Sequence, residues 1–221
     1  MKTMTPNAQQ ETVIVLHGLG RTRRSMAAMA KFIRQRGFKV INVDYPSRSH
    51  SIAFLVDAYV RPAVASVGEG GKVHFVTHSL GGLLVRTYLQ RSRAVNLGRV
   101  VMLSPPNKGS EIVDYLQDRK WFRKIMGPAA LQLGTGPNSV PLALGPVKFE
   151  LGVIAGSYAY NPLVTKLLRD GNDGLVSVRR MRIEGMTDFC VLPFSHTFIM
   201  NHGQVMEQAL CFLKEGRFSI P

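Results

Sequence analysis

Short apolar runs alternate along the chain with segments whose apolar residues recur at helical spacing. Thr12 to Leu16 is a compact β-branched run ending in HGLG, which reads as a buried strand entering a glycine turn. From Arg23 to Arg36, Met26, Met29, Ala30 and Ile33 share one helical side, and Gly37 closes the segment. Phe38 to Val43 predicts a second strand, ending in DYPSR. Ile52 to Val67 predicts a helix interrupted near Pro62, Lys72 to Thr77 a third strand, and Leu80 to Arg91 another helix. Arg99 to Leu103 predicts a fourth strand, stopped by Pro105 and Pro106.

The alternation breaks from Asn107 to Lys148. Here a helix-like piece, EIVDYLQDRKWFRKIM, precedes a Gly- and Pro-rich loop from Gly127 to Pro146. It resumes with strands expected at Phe149 to Ala155 and Phe189 to Leu192, and an amphipathic helix from Gln204 to Lys214. Apolar strands alternating with helices predict a mostly parallel sheet of about six strands with helices on both faces. Reactive groups in such sheets gather at the carboxyl ends of the strands. HGLG, DYPSR, HSLGG and SPPNKGS each follow an expected strand, and the DGLV loop precedes the last one. No internal repeat or low-complexity tail is visible.

Composition narrows this picture only in part. A chain of 221 residues, 45% hydrophobic and 19% charged, suits one globular core, so residues 1–221 are expected to form a single domain. Apolar runs are strand-sized, too short to span a membrane. MKTMTPNAQQET lacks an apolar secretory stretch and predicts a cytoplasmic location, although a leader already removed would leave the same sequence. Cys190 and Cys211 make no disulfide framework and are expected as buried free thiols. The 28 basic and 14 acidic residues give a formal charge of +14. That charge reads as a solvated basic face or as attraction to an anionic lipid surface. The basic residues are dispersed, without an aromatic stacking stripe or zinc spacing, so no nucleic-acid partner is expected.

Candidate chemistry centres on VTHSLGG, residues 76 to 82. A serine hydroxyl becomes a nucleophile when a base takes its proton and donors receive the developing oxyanion. A sharp strand–Ser–helix turn lifts Ser79 clear of the sheet and aims the next backbone N–H, that of Leu80, at the oxyanion. Gly81 and Gly82 follow, while Thr77 stands where a small residue would leave more room. A structural serine in a strand-to-helix turn would show the same local pattern. HGLG supplies the second donor: Gly18 allows close backbone approach, and Leu19 N–H is the natural partner to Leu80 N–H.

Taken in order, HGLG, YPS, HSLGG, PPNxGS, NDGLV and HTFIM resemble the small bacterial lipases and esterases of the α/β-hydrolase family, over nearly the whole chain. The resemblance implies a reduced α/β-hydrolase fold and serine-dependent hydrolysis of carboxylic esters, often lipids, without a cofactor or metal. It also implies the chain order Ser, then Asp or Glu, then His. His17, His50, His74 and His78 precede or adjoin Ser79, leaving His196 and His202; the resemblance puts the base at His196, and His202 reads as a capping or surface residue. Of Asp170, Asp173, Glu184 and Asp188, NDGLV places the acid at Asp173. Asp170 could be confused with it or cap the turn, and Asp188 is expected to face solvent. Asp44 is expected to stabilise its loop, and Arg48 to make a surface ion pair or meet an anionic substrate.

Residues 107–148 are then expected as a lid-like insertion. Ser110 can cap a helix beginning at Glu111. Ile112, Tyr115, Leu116 and Phe122 are candidates to wall a substrate pocket, together with Ile125 and Met126 on the same segment; packing on the core is the alternative. The expected reaction is hydrolysis of a small-molecule or lipid ester through an acyl-enzyme. Acyl transfer or thioester hydrolysis would use the same residues, and a non-catalytic binding protein could share the fold.

Overall fold

The structure, a computed structural model, describes residues 10–92, 96–161, 168 and 171–220. Six strands, β1 (Thr12–Leu16), β2 (Lys39–Val43), β3 (Val73–His78), β4 (Leu97–Leu103), β5 (Leu151–Gly156) and β6 (Asp188–Leu192), form one sheet. All are parallel, in the order β2-β1-β3-β4-β5-β6. Expected and observed strands agree to within about two residues at their ends, the usual fraying of element boundaries.

Strict alternation decides which face each side chain covers. Ile14, Leu16, Phe75, Val100, Met102, Val153 and Ala155 belong to one buried cluster. Their neighbours Val13, Val15, Val76, Val101, Leu103 and Ile154 belong to the other. On the second face lie α1 (Ala27–Gln35) and the C-terminal α9 (Gly203–Glu215), through Met29, Ile33, Val205 and Phe212. On the first lie α2 (Ile52–Leu55), α3 (Arg61–Ala65) and α4 (Leu80–Arg91). Both faces are therefore dry, which is why β1, β3 and β5 are buried end to end. The interruption expected near Pro62 is a π-helical turn, Val56–Val60, between α2 and α3. Proline has no N–H and its ring crowds the carbonyl four residues back, so the wider turn absorbs the mismatch.

The sequence order reverses between β1 and β3, which are adjacent, with Leu16 opposite Thr77. The loops leaving their carboxyl ends therefore emerge side by side, at the place where parallel sheets open a crevice. The segment after β4 differs from the single helix and loop expected. It folds as α5 (Glu111–Leu116), α6 (Lys120–Leu131) and α7 (Val140–Ala143), and α6 is kinked at Gly127, φ 74°. Helix thus continues past Gly127-Pro128, because proline is tolerated in the first turn after a kink. A short α8 (Val178–Met181) precedes β6.

Several expectations need correction. Ser110 sits at the N-terminus of α5 but its hydroxyl donates to Leu175 O at 2.7 Å, not to the helix. Asp188 is half-buried and also accepts from Phe218 N–H at 2.6 Å, tying the segment after α9 to β6. Cys190 is buried, its thiol pushed up to about 12 by burial, but Cys211 is only half-buried. Asp44 does hold its loop, accepting from Arg23 N–H at 2.9 Å. No helix among the described residues is long and apolar enough to cross a membrane.

Candidate active site

The turn from β3 into α4 places Ser79 in an uncommon backbone conformation, φ 51° and ψ −119°. A non-glycine residue held there costs about 1–3 kcal/mol, which the packed strand and helix on either side must offset. Ser79 N–H donates to Leu103 O at 2.9 Å, and Gly82 N–H donates to Ser79 O at 3.0 Å. Thr77, in place of a smaller residue, fits without displacing β4: it is fully buried, and its hydroxyl reaches Val101 O at 3.4 Å.

The loop after β1 passes directly over this turn. A Cβ on Gly18 would stand 2.7 Å from His78 Nδ1 and 3.2 Å from Ser79 Cβ, so only glycine permits the approach. His17 fixes the peptide that follows. Tyr45 N–H donates to His17 Nε2 at 3.3 Å, leaving Nδ1–H to donate to Gly18 O at 2.9 Å. Arg21 N–H also donates to Gly18 O, at 3.2 Å. In a trans peptide the carbonyl and the next N–H point opposite ways, so anchoring Gly18 O turns Leu19 N–H away from His17. Among the described residues neither Leu19 N–H nor Leu80 N–H has an acceptor. Burial holds the His17 imidazole below its ordinary pKa, so it is neutral in this role.

His196 follows β6, and its side chain meets Ser79 across the end of the sheet. Its Nδ1 lies 2.7 Å from Asp173 Oδ2 and its Nε2 lies 2.9 Å from Ser79 Oγ. A carboxylate only accepts, so Nδ1 carries the proton and Nε2 presents its lone pair to the serine hydroxyl. Asp173 is nearly fully buried and its other oxygen accepts from Leu175 and Val176 N–H at 3.0 and 2.9 Å. His196 N–H donates to Asp173 O at 2.8 Å, joining the two loops by backbone as well. A serine, imidazole and carboxylate so linked can pass the hydroxyl proton to the imidazole while the carboxylate fixes its tautomer.

Sequence reasoning set His78 aside, yet it packs against His196. Its Nε2–H donates to His196 O at 2.9 Å, its ring lies 5.0 Å from the His196 ring, and its Nδ1 is buried without a partner among the described residues. Burial, and then the neighbouring His196, hold its pKa well below the ordinary value. His202 makes no cap with its side chain; its ring stacks on Phe194 at 3.8 Å. Asp170 lies outside the described residues.

Ser79 and His196 border a cavity of about 170 Å³ with a mainly apolar wall. Ile112 and Phe122 line it, as expected, together with Val113, Met126, Leu133, Leu175 and Val176. Tyr115 and Leu116 do not: Tyr115 is 60% exposed, and Leu116 packs on the core beside α6. The helical register of α5 explains the correction. Only its first turn borders the cavity, with Ser110, Ile112 and Val113, and Tyr115 and Leu116 lie one turn further along, past the rim. Arg21 and Thr197, which the sequence pattern did not single out, border the same space. Among the described residues no cluster of His, Cys, Asp or Glu could hold a metal ion.

The family model described as the alpha/beta hydrolase family matches residues 13–186. The chain belongs to the alpha/beta hydrolase family. The match takes in the Ser79 turn and Asp173 and ends ten residues before His196, whose place rests on the geometry above. Mature Bacillus licheniformis lipase BlEst2 has a similar structure, with TM-score 0.72 and 19% identity over 95% of this chain and 94% of that one. Phospholipase PlaB from Legionella pneumophila, in complex with thio-NAD, is similar at TM-score 0.72 and 18% identity, covering 91% of this chain but 56% of the other. An esterase from Exiguobacterium antarcticum, EaEST, aligns at TM-score 0.64 and 15% identity over 94% and 93% of the chains. At these identities the likeness concerns the fold. No curated protein matches the chain in sequence.

Proposed function

We propose that this alpha/beta hydrolase is a serine-dependent carboxylic ester hydrolase, acting as a single domain on a small-molecule or lipid ester. The observation that carries the reading is the Asp173–His196–Ser79 chain, with contacts of 2.7 and 2.9 Å, at the edge of an apolar cavity. Lipases, a phospholipase and esterases share the fold, in agreement with it. In the proposed reaction His196 Nε2 takes the Ser79 proton as Oγ attacks the ester carbonyl, and Asp173 stabilises the imidazolium. Leu19 and Leu80 N–H groups receive the oxyanion. The tetrahedral species then expels the alcohol, which takes the proton from His196. Water, activated by the same imidazole, releases the acid from Ser79. These steps draw on no cofactor.

Cavity size sets an acyl preference. An apolar cavity of about 150 Å³ holds a benzene molecule, so 170 Å³ accommodates on the order of six carbon atoms. Butanoate and hexanoate esters are the expected best substrates, and longer chains must leave part of their length outside. A p-nitrophenyl ester series from acetate to palmitate tests this directly. Ser79→Ala should abolish turnover and labelling by a fluorophosphonate while the melting temperature stays near that of the parent. Asp173→Asn should lower kcat by roughly 10⁴, since the amide cannot hold the productive tautomer. Residual activity within about tenfold of the parent in Ser79→Ala would move the nucleophile elsewhere.

A further inference from the structure

One cationic side chain stands between the cavity and a second, polar space. Arg21 borders both the cavity at Ser79 and an adjoining open cleft lined by Asp44, Ser47, Arg48 and Ser49. Its guanidinium lies along the loop that carries the base: Nη2 donates to Thr197 O at 3.4 Å, and Cζ is 6.0 Å from the Phe198 ring centre. Of five guanidinium N–H donors, this single long bond to a neutral carbonyl accounts for one. Neither Arg21 nor Arg48 has a carboxylate partner among the described residues. Arg48 is exposed and folds back over the same loop, its Cδ 3.8 Å from where a Cβ on Gly20 would stand. Among the described residues the one carboxylate bordering the cleft, Asp44, turns Oδ1 to Arg23 N–H at 2.9 Å.

Direction follows from the proposed chemistry, on which this inference rests. The alcohol oxygen of the ester leaves by taking the proton on His196 Nε2, so the substituents of the alcohol lie on the His196 side. That side is bounded by Thr197 and Arg21, whereas the acyl chain has the apolar wall of α5 and α6. A planar guanidinium with free donors beside a leaving group is suited to a carboxylate or phosphate oxygen pair. We propose that Arg21, assisted by Arg48 across the cleft, forms a subsite for an anionic group on the alcohol portion of the substrate. The substrates are then short-chain acyl esters of carboxylated or phosphorylated alcohols, and neutral esters are poorer by the loss of this contact.

Three butanoates test the subsite: that of 4-hydroxybenzoate, that of its neutral methyl ester, and that of 4-hydroxyphenyl phosphate. The quantity read is the ratio of kcat/KM for each anionic ester to that for the neutral one, at low salt. Comparing this ratio between parent and variant cancels the intrinsic difference between leaving groups. Arg21→Gln should lower it at least tenfold, Arg48→Gln less, and Arg21→Lys should fall between the parent and Arg21→Gln, since it keeps the charge and loses the paired donors. A fall confined to the phosphate ester assigns the subsite to phosphates, and one confined to the benzoate assigns it to carboxylates. An unchanged ratio in Arg21→Gln overturns the proposal. Calorimetric binding of phenyl phosphate and of benzoate to the Ser79→Ala protein reads the same subsite without turnover. There Arg21→Gln should weaken the Kd of at least one anion about tenfold, and equal affinities overturn the subsite even if no ester is hydrolysed. Turnover of no ester by the parent would instead sink the hydrolase reading and leave the binding result to judge Arg21.

Discussion

At the scale of single residues, the contact between Ser79 and His196 depends on a side chain that makes no bond to either functional group. His78 precedes the serine on β3, and its Nε2–H holds the main-chain carbonyl of His196 at 2.9 Å. The strand that fixes the serine thereby fixes the loop that carries the imidazole. Its second nitrogen is buried without a partner among the described residues, a cost of about 1–3 kcal/mol that packing alone would not favour over an apolar residue. His78 is therefore read as a positioning residue. His78→Leu keeps the bulk and removes the donor; displacements of about 1 Å at a reacting pair can cost 10²-fold in rate. The expected outcome is a fall in kcat of about 10–100-fold with KM nearly unchanged, partly restored in His78→Gln, which keeps a donor. A matching fall through KM, or none at all, would reduce His78 to a core residue.

At the scale of elements, the inserted segment is both a wall and a fastened one. Arg86 on α4 is buried, with no carboxylate partner among the described residues, and donates to Asn107 O, Pro141 O and Gly145 O, pinning both ends of the segment. Asp114 on α5 holds Thr135 through its N–H and hydroxyl, at 2.9 and 2.6 Å, and Gln132 Oε1 accepts from Ile52 N–H at 2.8 Å. The strands, their faces and the serine turn were legible in the sequence because each follows from a local period or a short motif. The walls of the cavity were legible only in part: Ile112 and Phe122 line it and Leu116 does not, because an apolar side chain looks the same in the sequence whether it meets core or ligand. Arg21 and His78 escaped for another reason: their partners lie 176 and 118 residues away in the chain. Phe122 is where wall and core can be separated, since it is buried in the cavity lining. Phe122→Ala should shift the best acyl chain from about six carbons to longer ones and cost about 3–5 kcal/mol of stability. Tyr115→Ala, at an exposed position outside the cavity, should leave the chain-length profile as it was. A destabilised Phe122→Ala protein with the parental profile would make α6 a strut alone.

At the scale of the whole molecule, charge is the term most open to conditions. The formal +14 already opposes compaction, and three buried imidazoles with lowered pKa values govern how that opposition grows as the pH falls. His17, His74 and His78 are almost completely buried, and burial is the leading cause holding each below its ordinary pKa. In the unfolded chain each takes up a proton near pH 6.5; in the folded one each resists doing so until the pH is lower. Below about pH 6.5 the unfolded state therefore binds more protons, and stability must fall as the pH falls. It is fully present above that value. The slope reaches about 1.4 kcal/mol per pH unit for each histidine that stays neutral in the fold. Glu11 does not offset this window. Its carboxyl is lowered, chiefly by the hydrogen bond from Lys72, so its contribution is lost as the pH falls through the carboxylate range, below the histidine window. Urea unfolding at pH 7.5 and at pH 5.5 should show a lower midpoint at pH 5.5 at constant m-value. His78→Leu should flatten the dependence by about one proton, because it removes the most strongly shifted of the three. Equal midpoints at the two pH values would mean that the buried imidazoles titrate in the fold as they do in water, and would undo the neutral tautomers on which the His17 and His78 contacts depend.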